Sequence, residues 1–549
     1  MTDKADFGVL YGQKTTEDAL LIYSSYEDAK ASPQTGDFIV LTPKDEGNTK
    51  FLARVEAEIY DEDPIFKSQD KTLIAVHYAR IAERELSERD KQKMFSYTYK
   101  VRILGTFLDN GQTLRFTTAV RKLPTVSYIA RHLNNREIEN ILNRENEGGI
   151  GIGFLCVGET VFEKKGEIRF LTDRLRNKRT MVFAQSGFGK TNLIKVLVYN
   201  MIGNTSYGKL IFDLNGEYAL RGTSTYGLGD VDEDLVRKNL IVYTDRELPD
   251  VYKDSKRFSL AGNVRIDMHR NLSVGDILNF GAGYSEVMKS FLLYLDEEGV
   301  ENFVENIDEY VNDPQKLHTD FSDFFGTLRG ADSSARKTIM AIRKRIRHLI
   351  DEGKGLHSGD STLIEDVFKY LKQGKTVILD LSLRDNLDAS IISTIIVRKL
   401  FEVNKENFTS EKSEDLIPTV IFVEEAQNVL SEEFVKSNAN PFVRVAKEGR
   451  KFGLGLVAIT QRPSAISDEI RTQAENFFGF HLGNSDDIRA LVKSNINYDG
   501  VISNFLQRET IAGNLYMVSS DQAFALPIRV HEFEKLIENK VYEVSKFKK

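Results

Sequence analysis

The stretch TMVFAQSGFGKTNLIKVLVYNMI, residues 180–202, decides the fold. Strand-friendly residues run straight into Gln185-Ser186-Gly187-Phe188-Gly189-Lys190-Thr191, and an apolar helix pattern follows at once. Ala184 to Thr191 matches a phosphate loop, with Ala184 in place of the usual first glycine. Small residues there let successive backbone N–H groups turn inward around a β-phosphate. In this reading Ser186, Gly187, Phe188, Gly189, Lys190, Thr191 and Asn192 form the nucleotide cradle. Lys190 reaches the β- and γ-phosphates of ATP, and the Thr191 hydroxyl ligates Mg²⁺. The helix presents its positive end to the anion and stops near Gly203. The bland alternative is a glycine-rich turn with a chance Lys-Thr.

Around this stretch the chain alternates strand and helix. KLIFDLN (209–215), TVILDLS (376–382), TVIFVEE (419–425), LGLVAIT (454–460) and NFFGFHLGN (476–484) are short apolar runs, mostly ending in polar residues. Buried parallel strands read this way, with working residues at their carboxyl ends. Glu424 and Glu425 close one of them. Glu424 is placed to hold a metal's water shell, and Glu425 to orient or deprotonate an attacking water. Taken alone, two adjacent glutamates would be a solvated acidic turn. Gln461 follows the strand 454–460, and its neutral amide can bond both a γ-phosphate and a water. Arg450 and Lys451 sit upstream, either as cations for a neighbouring subunit's phosphate or as a complement to a helix carboxyl end.

The expected fold class is α/β: a RecA-like P-loop NTPase core with a helical insertion, preceded by a small N-terminal β-barrel. Residues 1–150 are rich in short β patterns, GDFIVLTP, KFLARVEAEIY, KTLIAVHYA and YTYKVRILGTFLDNGQTLRFTTAV among them, and Asp109-Asn110-Gly111 is a hairpin signal. The glycine-rich ENEGGIGIG (145–153) reads as the boundary. Residues 151–549 are expected to form the α/β nucleotide-binding domain, with a helical insertion over 225–372 and a hairpin and tail over 505–549.

The whole has 549 residues, a net charge of −8 and a single cysteine, Cys156. This excludes a disulfide framework and fits a reducing, cytoplasmic setting. The opening MTDKADFGVL lacks a secretory h-region, and no run has the ~18 apolar residues of a membrane span. The helical stretch Arg336–Arg347 has apolar residues at 339, 342, 346 and 349 and six cations on its other face. It reads first as a solvated face and second as a surface tracking a nucleic-acid backbone.

These motifs together resemble the HerA/FtsK superfamily of ring-shaped translocases, and the HerA-type ATPases most closely. The resemblance rests on LIFDLNGEY (210–218), VILDLSLRD, VIFVEEAQNVL and RVAKEGRKFGLGLVAITQRPSAI, and on NLYMVSSDQAFALPIRV near the end. It implies Lys190 and Thr191 for nucleotide and Mg²⁺, Glu424 and Glu425 for metal and water, and Gln461 as sensor. It also implies Asp213 and Glu217 lining the nucleotide site, and Arg450 as a finger acting in trans. Phe188 departs from the usual small residue, and Gln427 stands where relatives often carry His.

The resemblance further implies a homohexamer that threads double-stranded DNA and acts with a NurA-like nuclease in end processing. Other relatives pair with a sirtuin-like NAD hydrolase or a nuclease in anti-phage defence. An ATP-binding scaffold that assembles and licenses such an effector is the second reading. A conjugation or secretion ATPase is the third, and it would want a membrane partner.

Overall fold

The computed structural model describes residues 6–14, 19–25, 33–44, 49–61, 96–109, 113–142, 149–157, 160–163, 166–222, 225–248, 252, 258–280, 285–297, 307, 332–351, 353, 355–410, 412–437, 440–519 and 524–541. Two compact units divide the chain. The first comprises Met1–Leu171, Phe183–Lys190 and Asn476–His531, and the second Thr172–Val182, Thr191–Glu475 and Glu532–Lys549.

The first unit opens with a barrel. Its strands are β1 (Gly8–Lys14), β2 (Ala19–Ser25), β3 (Phe38–Thr42), β4 (Thr49–Asp61), β5 (Ser96–Asp109), β6 (Leu114–Thr117) and β7 (Ile129–His132). The order β2-β1-β7-β3-β4-β5 closes because β2 also pairs with β5, and β6 is added outside it on β5. Alternation sends Leu20, Ile22, Ile39, Leu41, Phe51, Ala53, Tyr99 and Val101 into one core. Bulges in the β4–β5 register, between Leu52 and Ala53 and between Val55 and Ala57, bend these long strands. The expected hairpin is there, with Asp109 opposite Leu114. KTLIAVHYA lies outside the described residues.

The same unit continues with β8 (Ile150–Val157), β9 (Thr160–Val161) and β10 (Glu167–Phe170). The glycines read as a boundary are therefore partly strand. A side chain at Gly153 would collide with the Arg529 carbonyl, so glycine serves close strand approach there. With β18 (Asn476–Gly479), β19 (Asn514–Val518) and β20 (Leu526–Val530), the order is β10-β8-β20-β19-β18. Strands β19 and β20 form the expected antiparallel hairpin.

In the second unit, β11 (Arg179–Phe183, its last residue in the first unit), β12 (Gly208–Asp213), β13 (Leu240–Thr244), β14 (Ser259–Gly262), β15 (Thr376–Asp380), β16 (Thr419–Val423) and β17 (Leu454–Thr460) follow the order β11-β17-β16-β12-β15-β13-β14. The pairs from β17 to β14 are parallel. The central strands are buried at every residue, as a sheet covered on both faces demands. Strands β13 and β14 correct the purely helical reading of 225–372. Three of the five residues of LIVYT are β-branched and all are buried, but five residues are too few to declare a period.

The helix Asp332–Ile350 buries Ile339, Ile342, Ile346 and Leu349, and Lys337, Lys344 and Arg347 are exposed. Among the described residues no helix is long and apolar enough to cross a membrane.

Candidate functional site

The phosphate-loop segment joins β11 to the helix Lys190–Met201. Gly187 and Gly189 adopt φ of 85° and 101°, which a β-carbon strongly disfavours, so both must be glycine for the loop to curl. Within the first unit Gln185 N–H donates to the His481 carbonyl at 3.0 Å, and Gly513 N–H donates to the Phe188 carbonyl at 3.1 Å. Ser186 and Gly187 are exposed, and Phe188, Gly189 and Lys190 are half-buried.

The second unit gathers a cluster of polar groups at the carboxyl ends of its parallel strands. Asp213 ends β12 and is fully buried. Its carboxylate accepts the backbone N–H groups of Glu217 at 3.0 Å and Tyr218 at 2.9 Å, which closes the turn between them. Burial, and secondarily the charge of Glu424, push its pKa up to about 7. Beside it in register lies Asp380, whose oxygens accept from the Thr244 and Ser382 hydroxyls. Arg246 reaches from the end of β13 to the Gly216 carbonyl at 3.2 Å and lies 3.6 Å from Asp380.

The turn is held at Asn215, Gly216, Glu217 and Tyr218. Asn215 Nδ2 donates to Glu424 Oε2 at 3.2 Å, and the Tyr218 hydroxyl donates to Glu424 Oε1 at 2.6 Å. Glu217 is exposed, and its Oε2 accepts from the Thr191 hydroxyl at 2.9 Å. Glu424 is only 4% exposed, so two donors on its two oxygens are what makes its burial tolerable. Burial also raises the Tyr218 phenol well above its usual value, keeping it a donor.

Glu425 points differently from Glu424 because its backbone turns left-handed, with φ of 46°. That conformation is costly for a side-chain-bearing residue and clusters at working sites. It is pinned by Ala426 N–H donating to the Ile459 carbonyl and Asn428 N–H to the Glu425 carbonyl. The Glu425 carboxylate accepts from Gln427 Nε2 at 2.6 Å and from Gln461 Nε2 at 3.2 Å. Thr460 in turn donates to Gln427 Oε1 at 2.5 Å. Two neutral amides thus orient a half-buried carboxylate.

Thr191, Asp213, Glu217, Glu424, Glu425 and Gln461 thus lie in the second unit: the first four are linked through Asn215 and Tyr218, and Glu425, the next residue after Glu424, bonds Gln461. Ser186, Gly187, Phe188, Gly189 and Lys190 belong to the first. The Asn192 side chain accepts from Phe533 N–H at 2.8 Å. Arg450 is exposed on the turn Gly449–Phe452 and joins none of these hydrogen bonds.

Residues 155–400 match the family model described as helicase HerA, central domain. Over that span, somewhat under half of its length, the chain is similar to HerA-type ATPases. It is 26% identical over 361 residues to the DNA double-strand break repair helicase HerA of Sulfurisphaera tokodaii, covering 64% of this chain and 63% of that protein. It is 24% identical to the protein of the same name from Saccharolobus solfataricus, covering 67% and 65%. It therefore spans somewhat under two thirds of the length of these relatives. A solved VirB4 from Thermoanaerobacter pseudethanolicus is similar at 13% identity and a TM-score of 0.43, over 70% of this chain and 97% of that one.

Three residues of the site escaped sequence reading: Asn215, Tyr218 and Gln427. LIFDLNGEY offered an Asn-Gly turn as the only local signal. Tyr218 meets its partner across 206 residues of sequence, which no spacing rule reaches. Gln427, noted only as a departure, proves to be a partner of Glu425.

Proposed function

We propose that this chain hydrolyses ATP to move along double-stranded DNA, as a homohexameric ring working with a nuclease or a defence effector. The observation that carries the reading is Glu425, turned left-handed out of β16 and held by the amides of Gln427 and Gln461. A carboxylate so oriented suits a general base for a water attacking a γ-phosphate. Gln461, on the same carboxylate, senses whether that phosphate is present. Backbone N–H groups from Ser186 to Lys190 cradle the phosphates, Lys190 neutralises their charge, and Asn192 fixes the first helical turn. Arg450, free of the carboxylate cluster, is the candidate for action on a neighbouring subunit's nucleotide.

The residues fit Mg²⁺. Thr191 Oγ1 and Glu217 Oε2, 2.9 Å apart, are hard oxygen donors of the kind Mg²⁺ takes, and the buried Glu424 carboxylate adds negative charge for its water shell. When bound, the ion supplies charge neutralisation for the leaving phosphate. Asp213 holds the turn that carries Glu217. Support for DNA as the track comes from the relatives named as DNA double-strand break repair helicases.

The deciding experiment is steady-state ATPase activity of the purified full chain with and without linear duplex DNA. Stimulation by duplex, loss in Glu425→Gln and weaker DNA binding as salt rises are the expected results. A hexamer whose ATPase is indifferent to DNA would overturn the motor in favour of a nucleotide-gated scaffold.

A further inference from the structure

Phe188 is the loop residue whose side chain phosphate binding does not use. Its ring lies against that of His481, with centroids 4.3 Å apart and planes inclined by 33°. His481 Nδ1 is 2.9 Å from the Leu506 carbonyl, which only accepts, so Nδ1 carries the hydrogen. The same carbonyl accepts Leu482 N–H at 3.0 Å, and the His481 carbonyl accepts Gln185 N–H. His481 therefore grips the loop twice, by ring and by backbone, while its own ring is fixed to the helix Val501–Arg508.

That helix rests on the barrel. Glu56 of β4 accepts Val501 N–H at 3.4 Å, and Arg54 holds the Glu56 carboxylate at 2.8 Å. Phe505 of the helix covers Gly36, where a β-carbon would lie 2.5 Å from its ring. Every link from Glu56 to Phe188 lies within the first unit.

We propose that the Phe188–His481 stack is a latch that positions the phosphate loop and ties its nucleotide affinity to the barrel through the helix Val501–Arg508. Both are positioning residues, and the proposal rests on the reading of the loop as an ATP site. A partner that shifts the barrel would alter ATP affinity without touching nucleotide.

The test is equilibrium binding of ATP with Mg²⁺ to the full chain, together with kcat and KM. An aromatic contact of this kind corresponds to roughly two- to tenfold in affinity, so Phe188→Ala weakens ATP binding by that factor and raises KM more than it lowers kcat. Phe188→Tyr restores wild-type affinity. Phe188→Leu, which keeps bulk without an aromatic face, behaves like the alanine variant and serves if that one folds poorly. His481→Ala added to Phe188→Ala brings no further loss. Glu56→Gln weakens binding in the wild-type loop but not in Phe188→Ala. Unchanged affinity in both Phe188→Ala and Phe188→Leu, additive losses in the double variant, or an equal effect of Glu56→Gln in both backgrounds overturns the latch. Failure of the wild-type chain itself to bind ATP would sink the nucleotide reading instead.

Discussion

Tyr218 donates its hydroxyl hydrogen to Glu424 at 2.6 Å, joining the turn after β12 to the end of β16. Both groups are buried, so the bond is made in a medium where an unmatched carboxylate is expensive. The turn it anchors carries Glu217, whose other contact is the Thr191 hydroxyl. The first glutamate of the pair thereby shapes the site through a tyrosine.

Tyr218→Phe removes one buried donor from Glu424. Loss of a hydrogen bond to a buried charge costs about 1.5–3 kcal/mol of stability, read as a lower urea midpoint. The loosened turn moves Glu217 away from Thr191, so kcat falls about tenfold, equivalent to ~1.4 kcal/mol in the barrier. Unchanged kcat in a destabilised Tyr218→Phe protein would confine the tyrosine to packing.

Asp213 makes stability depend on pH in an unusual direction. Its pKa in the fold, about 7, lies above the ordinary 3.8, so between these values the folded chain holds a proton that the unfolded chain has lost. The stabilisation from that proton is complete below about pH 4 and disappears as pH rises through about 7. Asp213→Asn, neutral throughout, removes this contribution. Urea denaturation of both proteins at pH 5, 6, 7 and 8 should find wild type losing stability relative to Asp213→Asn as pH rises. A constant difference would mean that Asp213 stays ionised.

The strands were readable because buried parallel strands announce themselves as apolar runs. β12, β15, β16 and β17 are buried throughout, and polar residues at their ends (Asp213, Asp380 and Thr460, with Glu424 just after β16) mark the working edge. The barrel was readable through alternation and the Asp109-Asn110-Gly111 turn. β13 was missed since LIVYT lies among helical segments and owes its strand to hydrogen bonds with β15, far along the chain. The site divides similarly. Glu425 and Gln461 stood out at strand ends, yet the left-handed turn that separates Glu425 from Glu424 is a backbone event with no glycine to signal it. Asn215, Tyr218 and Gln427 act through partners that only tertiary folding supplies.

That left-handed turn sets function against stability. Glu425→Gln keeps the side-chain volume and the strain, and ATP hydrolysis is lost while ATP still binds. Glu425→Gly is equally inactive but releases the strain of a β-carbon at positive φ, a gain of up to about 1 kcal/mol over Glu425→Gln. Chemical denaturation of the two variants measures the difference directly. Should the glycine variant prove the less stable, the bonds from Gln427 and Gln461 to the side chain outweigh the backbone cost.

Arg246 provides the remaining support for the turn. Its guanidinium donates to the Gly216 carbonyl, one residue before Glu217, and lies beside Asp380, which also holds Thr244 and Ser382. Arg246→Ala leaves Asp380 with its two hydroxyl donors, so the stability loss is small, about 1 kcal/mol. The turn, freed at Gly216, no longer fixes Glu217 against Thr191, and kcat/KM for ATP falls about tenfold, or ~1.4 kcal/mol. Arg246→Lys keeps the charge beside Asp380 without the planar reach to Gly216, and recovers stability more than activity. Equal recovery of both in Arg246→Lys, or stability loss in Arg246→Ala with wild-type kcat/KM, would reduce Arg246 to a brace between β13 and β15.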